Sequence, residues 1–248
     1  GEGPLTAMLG LSPKPRDFTR GKYKFRTTPG GSLPTDVDIF RTITAGVPGT
    51  SMPAWAVLSA DDRWDLVHYL KTFSETFVKE QPQAPITISE PPDVTPEVLA
   101  DGRQMFMDAG CNSCHGDEGD GNGPSAPDLK DDWGNPIRPY DFTGTKPMKS
   151  GAAPQDVYRT VMTGLTGTPM PSFGDVLEPQ QAWAVVSYVR SVRKPVQAAG
   201  GEDVTLLPQE TLQDQVATAA SEPVASSAAL IDRGKTLYGS YCAICHGE

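Results

Sequence analysis

Two short motifs contain every cysteine of this 248-residue chain. The motifs are copies of Cys-x-x-Cys-His, at Cys111–His115 and Cys242–His246. Two thiols one helical turn apart can add across the two vinyl groups of a haem, and the adjacent imidazole can then bind the iron. The spacing therefore predicts covalently attached haem c. The predicted attachment residues are Cys111, Cys114, Cys242 and Cys245, and the predicted iron ligands are His115 and His246.

Three other kinds of site compete with haem for these motifs. A zinc site needs four ligands, whereas each cluster supplies at most three, and zinc motifs usually place the histidine further from the second cysteine. A thioredoxin-like redox pair would need a surrounding βαβ pattern, which the sequence does not show. Structural disulfides are compatible with the cysteine count, but they give no reason for a histidine to follow the second cysteine twice.

The composition is that of a globular protein with about two domains. The formal net charge is −10, which argues against nucleic-acid binding and suits either docking to basic patches on partner proteins or solubility alone. No stretch approaches the roughly 18 apolar residues of a membrane span. The chain has 24 prolines and 25 glycines, and no convincing alternating strand pattern, so we predict an all-α fold of short helices and long loops.

The sequence also contains an internal repeat. Residues 38–53 align without gaps to residues 156–171 and are identical at eight of sixteen positions. Trp64 and Tyr69 recur as Trp183 and Tyr188, and the residues preceding each Cys-x-x-Cys-His motif also resemble one another. Repetition at this period predicts a tandem array of one domain type.

A methionine in each repeat is a candidate sixth ligand of the iron. Met170 lies between two prolines in the segment Gly-Thr-Pro-Met-Pro, which restricts the backbone and presents the thioether rigidly. Met52 occupies the matching place in the first repeat. A thioether opposite histidine raises the reduction potential of a haem. Each methionine could instead fill a gap in the core.

Capping signals place these motifs on helices. Thr95, followed by a proline, predicts a helix that runs toward Cys111. Ser59 predicts a helix through about Phe73, and Glu178 a matching helix that carries Trp183. Shorter helices are predicted over 36–45 and 154–163, each ended by a glycine suited to a left-handed cap.

The order of helix, Cys-x-x-Cys-His-Gly, glycine-rich loop, Gly-Thr-Pro-Met-Pro and Trp/Tyr helix resembles class I cytochrome c domains. The resemblance covers 95–193 as a complete domain, 1–78 as a domain without its N-terminal helix and motif, and 228–248 as only the start of a domain. Between them, 79–94 is predicted to be a proline-rich linker and 194–227 a flexible one. The resemblance implies that the first and last helices of a domain cross and that the methionine loop lies over the haem edge.

The resemblance also implies a function. The favoured interpretation is a non-enzymatic electron carrier, or a cytochrome subunit of a larger oxidoreductase, that relays single electrons through His/Met haems. Its expected partners are dehydrogenases, oxidases or reductases, and its expected location is the periplasm or another compartment outside the cytoplasm. A membrane tether would lie in segments outside this sequence. The alternative is a dihaem peroxidase-like enzyme in which one haem lacks its methionine.

The repeat register predicts that the sequence is a fragment of a protein with at least three haem domains. Only the haem site at 111–170 is then complete, and the sites at Met52 and at 242–246 are partial. A competing hypothesis also follows from the register. Residues 228–248, continued by a few residues, would run into the first repeat, so they could dock onto 1–78 and place His246 opposite Met52.

Overall fold

The computed structural model describes residues 3–194, 196–197, 203–204 and 225–248. The described elements are almost all helical, which confirms the predicted all-α class. The helices are α1 (Pro4–Leu9), α2 (Asp36–Ala45), α3 (Ala60–Lys71), α4 (Thr76–Lys79), α5 (Pro96–Asp108), α6 (Asn112–His115), α7 (Pro154–Thr163), α8 (Pro179–Ser191), α9 (Ala228–Tyr241) and α10 (Ala243–His246). Short 3₁₀ turns cover Phe18–Arg20 and Ala126–Asp128. The strands β1 (Val196–Gln197) and β2 (Asp203–Val204) form one antiparallel pair.

The predicted helix starts are confirmed by their caps. The Thr95 hydroxyl accepts a hydrogen bond from the Val98 amide at 3.3 Å, and α5 follows with proline at its first position. The Ser59 hydroxyl accepts from the Asp62 amide at 3.1 Å and opens α3, which ends at Lys71. Helices α2 and α7 have the predicted bounds.

The glycines that end α2 and α7 do not adopt the predicted left-handed conformation. Gly46 has φ 65° and ψ −162°, and Gly164 has φ 65° and ψ −173°. This region of backbone space is open essentially only to glycine. A Cβ at either position would also overlap the backbone of the proline that follows the methionine, Pro53 or Pro171. Only glycine therefore fits at these two positions, where the end of the helix lies against the loop that carries the methionine.

The chain divides into two compact units. The continuous unit consists of the described residues between 86 and 211, and the two-segment unit combines residues 3–85 with residues 225–248. The expected start of a separate domain at 228–248 therefore lies in the same unit as 1–78. The reason is the apolar face of α9, which packs against α3.

The core of the continuous unit forms where α5 and α7 meet α8. The rings of Tyr158 and Trp183 stack with centroids 4.4 Å apart, and Phe106 meets Tyr188 edge-on at 5.4 Å. Gly102 allows the close approach of α5 to α8, because a Cβ there would overlap the Ala184 carbonyl oxygen.

The predicted linker at 79–94 is divided between the two units. Its second half packs on the continuous unit, where Ile86 and Ile88 contact the core. The Trp183 indole N–H also donates to the Ser89 hydroxyl at 2.9 Å. These apolar contacts explain why 86–94 is not a free spacer. Most of the other predicted linker, 194–227, lies outside the described residues, including 198–202 and 205–224.

The core of the two-segment unit contains the same kinds of aromatic contact as the core of the continuous unit. Its residues come from both segments. Phe40 stacks on Trp64 with centroids 4.2 Å apart. Tyr238 of α9 is 3% exposed and meets Tyr69 edge-on at 5.3 Å. Among the described residues, no helix is both long and apolar enough to cross a membrane.

Candidate functional site

The first Cys-x-x-Cys-His motif forms a single helical turn at the end of α5. Cys111 precedes α6, and its carbonyl oxygen accepts hydrogen bonds from the Cys114 amide at 3.3 Å and the His115 amide at 2.9 Å. Residues three and four positions apart share one face of a helix. The two thiols and the imidazole of this motif are therefore presented together.

The orientation of His115 is set by a backbone carbonyl. Its Nδ1 atom lies 2.9 Å from the carbonyl oxygen of Tyr140. A carbonyl can only accept, so Nδ1 carries the hydrogen and the lone pair is on Nε2, the arrangement that second-shell partners impose on metal-binding histidines. Burial lowers the pKa of His115, which favours the neutral imidazole that iron ligation requires.

The carbonyl of Tyr140 is held in place by the turn that follows it. The Asp141 carboxylate accepts hydrogen bonds from the Thr143 amide at 2.9 Å, the Thr143 hydroxyl at 2.7 Å and the Gly144 amide at 3.0 Å. The ring of Phe142 lies against the His115 imidazole with centroids 4.7 Å apart. A backbone acceptor and an aromatic ring thus hold the imidazole from two sides.

Met170 lies in a loop that is held by hydrogen bonds between its own residues. The Met170 amide donates to the Thr168 hydroxyl at 3.2 Å, and the Met170 carbonyl accepts from the Leu165 amide at 3.1 Å. The side chain is partly buried and packs against the same core cluster as Cys111. The predicted methionine ligand and the predicted attachment cysteine therefore pack against the same hydrophobic core.

The two-segment unit reproduces this arrangement around His246. Its Nδ1 atom lies 3.1 Å from the Arg16 carbonyl oxygen, and the ring of Phe18 stacks on the imidazole with centroids 4.7 Å apart. Burial is also the main cause that lowers the pKa of His246. The Met52 amide donates to the Thr50 hydroxyl at 3.1 Å, and the Met52 carbonyl accepts from the Val47 amide at 3.0 Å.

The four cysteines are free thiols. Burial raises the pKa of Cys111 and of Cys242 to about 11, so both remain protonated at neutral pH. In the ranges that the structure describes, no three His, Cys, Asp or Glu side chains are arranged to hold a metal ion by themselves. Structural zinc sites need four ligands. Two free thiols on one helical turn are the groups with which a thiol-reactive prosthetic group such as haem combines.

Comparison with known proteins agrees with the geometry. The family model described as Cytochrome c matches residues 99–193. Residues 99–193 are therefore similar to a cytochrome c domain, and this part of the chain is named the cytochrome c domain. The cbb3-type cytochrome c oxidase subunit FixP of Sinorhizobium medicae is 26% identical over 167 residues, which cover 63% of this chain and 41% of FixP. The chain thus spans about two fifths of that curated relative.

A solved structure is also similar to this chain. It belongs to the reducing HAO-like protein complex of Kuenenia stuttgartiensis. The match has a TM-score of 0.72 and 45% sequence identity, and it covers 75% of this chain and 84% of the other. Because the match covers more residues than the cytochrome c domain does, the likeness extends beyond 99–193.

The residues of the cytochrome c domain fit a haem c. Two thiols on one turn, a neutral imidazole whose Nε2 bears the lone pair, and a methionine loop on the same core are the groups that such a haem needs. Cys111, Cys114, His115 and Met170 would supply them.

The sequence interpretation missed the residues that hold the two histidines. A second repeat in the sequence could have identified these residues. It is Pro-x-Asp-Phe-Thr, at 15–19 and 139–143. Asp17 makes the same turn as Asp141, since it accepts from the Thr19 amide at 3.0 Å and from the Thr19 hydroxyl at 2.6 Å. This motif supplies both the carbonyl acceptor and the phenylalanine ring in each unit.

Proposed function

We propose that this protein transfers single electrons through covalently bound haem c with one histidine and one methionine as axial ligands. In the cytochrome c domain, Cys111 and Cys114 attach the haem, and His115 and Met170 are the ligands. Cys242, Cys245 and His246 attach another by the same chemistry. The bound haem would supply reversible one-electron iron redox chemistry.

The observation that carries this proposal is the hydrogen bond of each motif histidine. Both Nδ1 atoms are bonded to a backbone carbonyl, at 2.9 Å for His115 and 3.1 Å for His246. Both imidazoles therefore carry the hydrogen on Nδ1 and the free lone pair on Nε2. A histidine that only filled the core would not need this tautomer beside two thiols.

The protein residues set how such a haem would behave. The methionine thioether would favour the reduced iron, raise the reduction potential and occupy the coordination position that a small substrate would need. The loop hydrogen bonds of Met170 and Met52 restrict the backbone that carries each thioether. This arrangement favours electron transfer over the peroxidase-like alternative, which needs an open position.

The relatives suggest the setting of this electron transfer. FixP is named as an oxidase subunit, and the solved chain belongs to an HAO-like complex. We infer that this chain also works as a subunit or partner of a larger oxidoreductase, outside the cytoplasm. Its net charge of −10 suits a basic docking surface on that partner.

The test is a pair of leucine substitutions in the full chain, expressed with a haem-attachment system. Met170→Leu should remove the far-red methionine-to-iron absorption of one haem and lower its reduction potential, because leucine cannot bind iron. Met107→Leu is the matched control, since Met107 packs against the same core. The control should retain the spectrum, because exchanging methionine for leucine conserves volume.

Two results would overturn the proposal. One is a full chain that carries no covalent haem on a denaturing gel stained for haem. The other is high-spin haem in the unchanged protein together with turnover of peroxide, which would favour the peroxidase-like enzyme.

A further inference from the structure

We propose that the haem attached at Cys242 and Cys245 completes a domain with residues 3–85 and takes Met52 as its sixth ligand. A single cofactor would then join two segments that are far apart in the sequence. This inference rests on the proposed function, because it assumes that the second Cys-x-x-Cys-His motif binds haem c. It adds the identity of the partner segment and of the ligand.

The first support is the packing of α9 on α3. Gly234 of α9 lies directly on the backbone of α3, where a Cβ would overlap the carbonyl oxygen of Asp65. Gly102 makes the same approach to α8 in the cytochrome c domain. Backbones that approach this closely are fitted to each other, because one added methyl group would force the two helices apart.

A charged pair fixes the position of α9 along α3. Arg233 donates to the Asp65 carboxylate through Nε at 2.7 Å and through a terminal nitrogen at 3.1 Å. Asp65 is only 2% exposed, whereas Arg233 is 58% exposed. A buried carboxylate is costly without a partner. The acid on α3 therefore needs the arginine of the distant segment, and the two-point contact defines the register between the helices.

The second support is the way residues 3–19 close around the motif. The Cys245 carbonyl accepts hydrogen bonds from the Gly3 amide at 2.9 Å and from the Thr6 hydroxyl at 2.7 Å. In the cytochrome c domain the Cys114 carbonyl accepts from Gly123 at 3.1 Å within one continuous segment. In the two-segment unit, Thr6 and Cys245 are 239 positions apart. The same local structure is thus built from separate parts of the chain.

The third support is the methionine loop of residues 46–53. Each hydrogen bond that holds Met170 in the cytochrome c domain has a counterpart at Met52. Trp55, just beyond the loop, meets Tyr241 at the end of α9 with ring centroids 5.3 Å apart. The loop that bears Met52 is therefore joined through Trp55 to the helix that leads into Cys242.

Two glycines of α9 provide a matched test of this arrangement. Gly234→Ala places a methyl group against Asp65, whereas a Cβ at Gly239 would meet nothing within 4 Å. In the full haem-loaded chain, Gly234→Ala should lose about half of the methionine-to-iron absorption, because one of two haems would lose its methionine. Covalent haem should persist at both motifs. Gly239→Ala should retain the full absorption.

A substitution of Met52 tests the ligand independently of folding around α9. Met52→Leu should remove about half of the methionine-to-iron absorption, and Met52→Leu combined with Met170→Leu should remove all of it. Full absorption in Met52→Leu would overturn the inference. If the unchanged chain stayed colourless, the proposed function itself would fail, which is a different result.

The solution mass decides whether the two segments belong to one molecule. A mass of one chain together with the full absorption is the expected result. A mass of two chains would assign residues 225–248 to a second copy and would overturn assembly within a single chain.

Discussion

At the scale of single residues, each candidate site depends on one carbonyl oxygen that selects the histidine tautomer. The carbonyls of Tyr140 and Arg16 accept from Nδ1, and each belongs to a turn closed by the following aspartate. Hydrogen-bond partners of this kind orient metal ligands and make them more basic. The turn aspartates are therefore positioning residues for the imidazoles.

The turn after Tyr140 can be tested with two substitutions at one position. Asp141→Ala removes the acceptor of three hydrogen bonds and should lower the free energy of unfolding by about 1 kcal/mol. Asp141→Asn is the control, because its amide oxygen can still accept and the loss should be smaller. Denaturant unfolding of the haem-loaded protein measures both. Equal losses in the two variants would show that the carboxylate charge, rather than the turn, is important.

At the scale of elements, helix pairs meet through glycine. Gly102 lets α5 approach α8, and Gly234 lets α9 approach α3. Aromatic rings surround both crossings, with Phe106 against Tyr188 and Tyr238 against Tyr69. The crossings bring each Cys-x-x-Cys-His turn to the core on which its unit is built.

The Arg233–Asp65 pair gives a prediction for the α9–α3 contact. Arg233→Met should lower the free energy of unfolding, because it leaves the buried Asp65 without this charged donor. Lys235→Met removes the same charge from an exposed position of α9 and should have little effect. Chemical unfolding checks both variants. Equal stability of the two would mean that Asp65 does not depend on the distant segment.

At the scale of the whole molecule, charge determines how partners approach. With 31 acidic and 21 basic side chains, the protein repels anions and attracts basic surfaces. The attraction acts over a Debye length of about 10 Å at 0.1 M salt. Long-range steering is therefore a property of the total charge, while the fit of a partner depends on local shape.

Small redox reagents can test this steering without an identified partner. The oxidised protein should be reduced faster by a cationic metal complex than by an anionic one of similar driving force. Raising the salt concentration should bring the two rates together, because screening weakens the attraction and the repulsion. Stopped-flow absorbance measures the rates. A difference that is independent of salt would contradict steering by the net charge.

Much of the fold was predictable from local signals. Thr95, Ser59 and Glu178 marked the helix starts because capping is a short-range interaction between neighbouring residues. The conformations of Gly46 and Gly164 were not predictable, because they depend on the proline beneath the helix end. The docking of Ile86 and Ile88 was missed for a similar reason, since extended apolar residues have no periodic signal.

The sequence alone predicted the proposed haem chemistry, because the reaction of thiols and imidazole with haem depends on spacing within a single helical turn. Cys111, Cys114, His115 and their counterparts at 242–246 were predicted in this way, whereas Met170 and Met52 were predicted from the internal repeat. Only the tertiary structure decided which parts act together. The sequence order separates Met52 from His246, whereas the burial of Tyr238 and the Gly234 crossing place their segments in one unit. Packing depends on surfaces that meet in space, and those surfaces come from residues far apart in the chain.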